Sequence, residues 1–383
     1  MMKILTYLPH GEIPDSRGFA PALVAQNLAA RLKNVEHLHV CGAERLPTGR
    51  DSLKPWGDIV RVREGQLYRR LFRKLTRLDP YPLHRRLARI ARKFRPEIIH
   101  IHQLEFPVDD FRKALGVPVK IVIHGHTIRQ FDPRLGVADL YLAASGHIAD
   151  GLVSGGFPEE KVQLLYNGLD PEIFKPCADA ERISLRSEMG IPADIQVLIF
   201  FGRKQEVKGF DLYLKALDTL VNVQNRRILA LAVGATPANA SDDASYNECI
   251  ELKSQLSRQG VLREVGAMRQ EELARLLRVA DIAVLPSREE PQGMAMIEAM
   301  AAGLIVVSSN VGGIKESITH NRDGLLIDPH AEANEVTVTL SHILDAPENY
   351  QHLKTAAAQT ARDRFSWDHL AIKLQDIYAG LLR

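Results

Sequence analysis

The chain has 383 residues, of which 45% are hydrophobic and 25% charged, enough ordinary globular material for two domains. A net charge of +2 gives no overall attraction to nucleic acid, so any basic partner surface must be local. Cys41, Cys177 and Cys249 are odd in number and far apart, which argues against a disulfide framework or a cysteine zinc site and fits a reducing cytosol.

The N-terminal run MMKILTYLP is stopped by Pro9, too soon for a signal sequence, and no stretch reaches membrane-spanning length; the chain reads as neither secreted nor integral. Lys3 to Leu8 is a short buried strand, Pro9 to Gly18 a loop, and Phe19 to Leu32 a helical pattern, the opening β-α unit of a doubly wound domain. Gly18 either lets backbone approach a ligand closely or only eases entry to the helix. From Arg61 to Arg95 there are thirteen cations, with Arg69, Arg70, Arg73, Lys74, Arg85, Arg86 and Arg89 at the centre, against Glu64 and Asp79. Leu67, Leu71, Leu75 and then Leu83, Leu87 and Ile90 recur at helical spacing, so two amphipathic helices with basic faces are expected, broken near Pro80 and Pro82. A solvated face and an anionic membrane surface both fit this segment; nucleic acid fits poorly, because aromatic stacking residues are sparse.

Glu97 to His102 and Val119 to Ile123 have strand length, and each leads into a His-x-His: His100 and His102, then His124 and His126. Alternate residues share one strand face, so a zinc site is conceivable, although no carboxylate motif accompanies it and structural histidines are the commoner outcome. Asp139 to Ala144 and Val162 to Tyr166 continue the first domain, and NGLDPEIFKP, 167–176, reads as a stiff linker. Ile195 to Phe201 begins a second β-α series, with Arg203 and Lys208 in the loop before the helical stretch Phe210 to Val221. Arg engages phosphate oxygens bidentately and Lys adds a point charge, so this pair suits a diphosphate without a metal. Ile228 to Val233, Gly260 to Val265 and Asp281 to Leu285 alternate with the helices Tyr246 to Gln259 and Gln270 to Val279, the pattern of a parallel sheet; Phe365 to Leu382 is a final helix.

Glu290 to Gly303, EPQGMAMIEAMAAG, is the most informative stretch. Glu298 falls among Met294, Met296, Ile297, Ala299 and Met300 on a largely apolar helix, and a buried carboxylate needs a partner, either a structural Arg or a ligand. Glu290 lies in the loop after a strand, where a parallel sheet opens its ligand crevice, and Gly293 with Met294 begins a helix whose free N-H groups favour anions.

Two acids separated by seven residues, then Ala-Met-Ala-x-Gly, a β-branched run and Gly312-Gly313, resemble the retaining glycosyltransferases of family 4 (glycosyl transferases group 1), of the GT-B fold. The resemblance covers nearly the whole chain. It implies two facing Rossmann-like α/β domains: an acceptor-side domain at 1–168, a nucleotide-sugar domain at 169–364, and a C-terminal helix, 365–383, that crosses back to the first domain. It implies a metal-independent, cofactor-free hexosyltransferase that takes a nucleotide-sugar donor and a glycan or lipid-linked acceptor. It places Glu298 on the ribose hydroxyls, Glu290 and His124 beside the donor sugar, Arg203 and Lys208 on the diphosphate, Gly18, Gly293 and Met294 near donor backbone contacts. Gln292 stands where the family carries an aromatic residue. With the basic segment, the resemblance points to surface polysaccharide or lipopolysaccharide synthesis at the inner face of a membrane, with no nucleic-acid partner. A GT-B epimerase or hydrolase, a His-ligated zinc hydrolase and a catalytically silent binding module stand as alternatives.

Overall fold

A computed structural model describes residues 1–9, 13, 20–42, 48–62, 67–77, 79, 82–104, 106–127, 132–236, 244–328, 330 and 332–383, with backbone alone at 67–70, 73 and 244–248. The chain divides into two compact units, Met1–Asn167 with Trp367–Arg383, and Gly168–Ser366.

The first unit contains β1 (Met2–Leu8), α1 (Ala20–Arg31), β2 (Val35–Gly42), β3 (Gly49–Leu53), β4 (Gly57–Val62), α2 (Leu67–Thr76), α3 (Leu83–Phe94), β5 (Ile98–His102), α4 (Val108–Leu115), β6 (Lys120–Gly125), β7 (Leu140–Ala143), α5 (Gly146–Ser154) and β8 (Val162–Leu164). Its sheet runs β3-β4-β2-β1-β5-β6-β7-β8, parallel except for the β3-β4 pair at one edge. The central strands are continuous apolar runs because both faces are covered, as parallel sheets require. One face packs on Leu87, Ala88 and Ala91 of α3 and Phe111 of α4. The other meets Val24 and Leu28 of α1 and Trp367, Leu370, Leu374 and Tyr378 of the final helix.

The second unit contains α6 (Asp179–Glu188), β9 (Gln196–Phe201), α7 (Phe210–Asp218), β10 (Ile228–Val233), α8 (Ala244–Arg258), β11 (Leu262–Val265), α9 (Gln270–Val279), β12 (Ile282–Leu285), α10 (Met294–Ala301), β13 (Ile305–Ser309), α11 (Ile314–Ser317), β14 (Leu325–Ile327), α12 (Ala333–Asp345) and α13 (Gln351–Phe365). All six strands are parallel, in the order β11-β10-β9-β12-β13-β14. The chain winds outward from β9 in one direction and from β12 in the other. The switch point, where such sheets open a crevice at their carboxyl ends, therefore lies between β9 and β12.

Three readings change. The final helix, α14 (Trp367–Leu382), starts two residues later than expected, because Phe365 closes α13 and Ser366 is extended. Arg61 does not belong to the basic surface: it sits buried on β4, paired with Asp51 of β3, and donates to the Ile13 carbonyl at 2.8 Å. The β2-β3-β4 region was not legible as strands, since the edge strand GRDSL is exposed and lacks an alternating apolar face.

Candidate active site

At the β9/β12 switch point two loops interlock. Gly209 closes the first of them with φ +69, and a Cβ there would lie 1.9 Å from the Pro286 carbonyl oxygen, so only glycine lets the loops approach this closely. Arg288 ties them further: its amide donates to the Val207 carbonyl at 2.9 Å, and its guanidinium grips buried Asp211 through two 2.7 Å bonds. The result places Lys208 Nζ 2.5 Å from Glu290 Oε2, a contact between residues from different strand ends.

Around this pair is a cavity of about 260 Å³, lined by Arg203, Lys208, Ser287, Glu290, Gly293 and Met294 among others. Arg203 is exposed and, among the described residues, has no ion-pair partner. Gly293, at φ +95, precedes α10 and offers no side-chain cap, and the first helical bond runs from the Ile297 amide to the Gly293 carbonyl at 3.1 Å. The amides of the first turn thus point toward the cavity without intrahelical partners, beside two cations, an arrangement that fits an anionic ligand. Five of the residues singled out from sequence, Arg203, Lys208, Glu290, Gly293 and Met294, meet here.

Glu298 lies one turn deeper on α10 and does not line the cavity. It is 8% exposed and its partner is the Gln270 amide at 3.4 Å, not the structural Arg considered from sequence. Burial pushes its carboxyl up to about 8, against a smaller opposing effect of Gln270. A carboxyl held neutral at such cost, with a single long hydrogen bond, is poised for a further polar partner.

In the first unit the structure places His124 at the end of β6. Its side chain is fully buried between His100, His102 and His126, and neither ring nitrogen has a hydrogen-bond partner. Its strand position turns it into a row of histidines, of which His100 Nδ1 meets Tyr378 OH of α14 at 2.5 Å. Gly18 lies outside the described residues, as do the side chains of Arg69, Arg70 and Arg73. Lys74, Arg85 and Arg89 are exposed on α2 and α3, and Arg86 is half-buried. Sequence reasoning missed Arg288, Asp211 and Gln270; the one available signal was opposite charge, Asp211 in the first turn after Gly209 and Arg288 in the loop two residues before Glu290.

Two parallel-sheet Rossmann-like units define a GT-B glycosyltransferase architecture, and solved structures share it. Sucrose-phosphate synthase from Thermosynechococcus elongatus superposes with a TM-score of 0.79 at 20% identity, covering 100% of this chain and 99% of that one. Anabaena HepE, solved with UDP and glucose, gives 0.75 at 20% identity, covering 99% and 100%. The chain belongs to glycosyltransferase family 4: residues 21–173 match the model for Glycosyltransferase Family 4, and 181–360 that for Glycosyl transferases group 1. A D-inositol 3-phosphate glycosyltransferase of Thermobispora bispora is 31% identical over 228 residues, 59% of this chain and 52% of that protein. The matched part thus spans about half the length of this curated relative.

Proposed function

We propose that the protein is a retaining hexosyltransferase that takes a nucleoside-diphosphate sugar as donor and a glycan or lipid-linked acceptor, without a metal ion. The observation that carries this reading is the Lys208–Glu290 pair, with Arg203, at the mouth of α10 on the switch point of the second unit. The UDP and glucose bound to Anabaena HepE, a protein of the same fold, support a nucleotide-sugar as donor. In this reading the diphosphate lies on the α10 amides between Arg203 and Lys208, and Glu298 meets the ribose hydroxyls. The bond from the anomeric carbon to the diphosphate oxygen breaks while the acceptor oxygen bonds on the same face, and the leaving phosphate oxygen takes the acceptor hydroxyl proton. Arg203 and Lys208 stabilise the charge that grows on that oxygen, and Glu290 orients Lys208 and the sugar.

The exposed cations Lys74 on α2 and Arg85 and Arg89 on α3 support a membrane-proximal acceptor of the surface polysaccharide or lipopolysaccharide type and peripheral attachment to the cytoplasmic leaflet. No helix among the described residues is long and apolar enough to cross a membrane.

The test is transfer from UDP-, GDP- and ADP-hexoses to a panel of lipid-linked and free glycans, with product anomers assigned by NMR. A retained anomer is expected, and Arg203→Ala or Lys208→Ala should slow turnover by roughly a hundredfold or more with melting temperature unchanged. An inverted anomer, a free epimerised nucleotide-sugar, or normal turnover in both variants would reject the proposal.

A further inference from the structure

Five histidines lie buried on one face of the first unit's sheet: His39 on β2, His100 and His102 on β5, His124 on β6, and His126 just after it. The strand register makes them a row: Thr6 pairs with both His39 and His100, and His102 pairs with His124. His100 and His102 stack with centroids 4.6 Å apart, and His124 lies 5.1 Å from His102 and 5.3 Å from His100.

Apolar packing does not explain such a row, because each imidazole carries two polar nitrogens that need partners. Both nitrogens of His124 and Nε2 of His100 are buried and unpartnered, and each such orphan costs about 1–3 kcal/mol in a folded protein. One ring nitrogen from each of His100, His102 and His124 falls within 4.8 Å of the other two.

We propose that His100, His102 and His124 form a structural site for a divalent transition-metal ion of the zinc class, inside the first unit and independent of the donor cavity. Three imidazoles are a donor set that zinc and its neighbours accept, with the fourth position left to water. Nitrogens bound at 2.0–2.1 Å to one tetrahedral ion are about 3.3 Å apart, so the rings need to draw together by at most about 1.5 Å.

The surroundings already supply what outer-shell groups provide. Tyr378 OH holds His100 Nδ1 at 2.5 Å, leaving Nε2 for the ion. His102 Nδ1 meets His126 Nε2 at 3.1 Å, and His126 Nδ1 meets Asn167 Oδ1 at 3.2 Å, a chain that fixes the orientation of His102 and leaves its Nε2 for the ion.

The experiment uses the full chain produced without a histidine tag. Elemental analysis is followed by chelation and titration with Co²⁺ and Zn²⁺. One Co²⁺ per chain is expected, with the visible absorption of a tetrahedral ion and no thiolate charge-transfer band, together with a zinc-dependent rise in melting temperature. His102→Gln and His124→Gln should lose the cobalt spectrum; should either fail to fold, X-ray absorption on the wild-type cobalt form must show imidazole-only ligation. Nucleotide titrations before and after chelation should agree, which separates this site from the donor cavity. A folded wild-type chain with neither cobalt spectrum nor zinc-dependent stabilisation overturns the proposal, as does a thiolate band or a spectrum that persists in both variants.

Discussion

Glu298 combines a buried position on α10 with one weak partner, and it keeps its proton to about pH 8. The unfolded chain ionises this carboxyl near 4.5, so from there upward the unfolded state sheds a proton that the folded state retains. Its contribution to stability is therefore fully present below pH 4.5 and is lost as pH rises through about 8. The buried histidines act oppositely: His39 and His126, lowered to about 4, contribute stability above their unfolded value of 6.5 that disappears as pH falls toward 4. A comparison of wild type with Glu298→Gln cancels the histidines. The variant should melt about equally with wild type near pH 4.5 and higher by several degrees at pH 8, at about 2–4 °C per kcal/mol; a flat difference in thermal melts across this range would place the carboxyl in water. At this scale the sequence revealed the burial, because apolar residues flank Glu298 on both sides, but not the partner, because Gln270 comes from another helix. The Lys208–Glu290 contact was similarly hidden by a separation of 82 positions, although each residue alone had been placed against the donor. For His124 the strand-end position was legible, but its enclosure by His100 and His102 of another strand was not.

The elements that place the cations are β9, β12 and α10, and their apolar runs bounded by glycine and proline were readable in the sequence. Helices α2 and α3 were readable from leucines at helical spacing, and the structure shows that they differ. Leu87, Ala88 and Ala91 anchor α3 in the core, whereas Leu71 and Leu75 of α2 are 52% and 82% exposed next to Lys74. An exposed i, i+4 leucine pair on a basic helix fits the headgroup boundary of an anionic bilayer better than water alone. Liposome flotation should show binding that requires anionic lipid and fades with salt, since each cation contributes about 1 kcal/mol and is screened. Leu75→Asp or Lys74→Glu with Arg85→Glu should weaken it by roughly tenfold; equal flotation on neutral vesicles, or no change in the variants, contradicts the electrostatic attachment. Strands β3 and β4 and helices α12 and α13 were not foreseen, because an exposed charged edge and mixed polar helices carry little periodic signal.

On the scale of the whole chain, two parallel sheets wound outward from switch points follow from alternating apolar runs and helical patterns, and α14 returns to the first unit through Trp367 and Tyr378. Family membership rests on matches across 21–173 and 181–360, which leave 1–20, 174–180 and 361–383 outside. The sugar and acceptor were not legible: the cations that line the cavity suit any charged diphosphate, and that chemistry is common to many donors. The central claim is that this cavity holds a nucleoside diphosphate. Calorimetric titration of UDP, GDP and ADP into wild type, Arg203→Ala and Glu298→Gln tests it most directly. One of the three nucleotides should bind one per chain to wild type, with affinity at least about tenfold weaker in Arg203→Ala, the 1.4 kcal/mol or more expected of a charged hydrogen bond, and about two- to tenfold weaker in Glu298→Gln, the range of a neutral one. Absence of binding by all three nucleotides, or equal affinity in wild type and both variants, would contradict it.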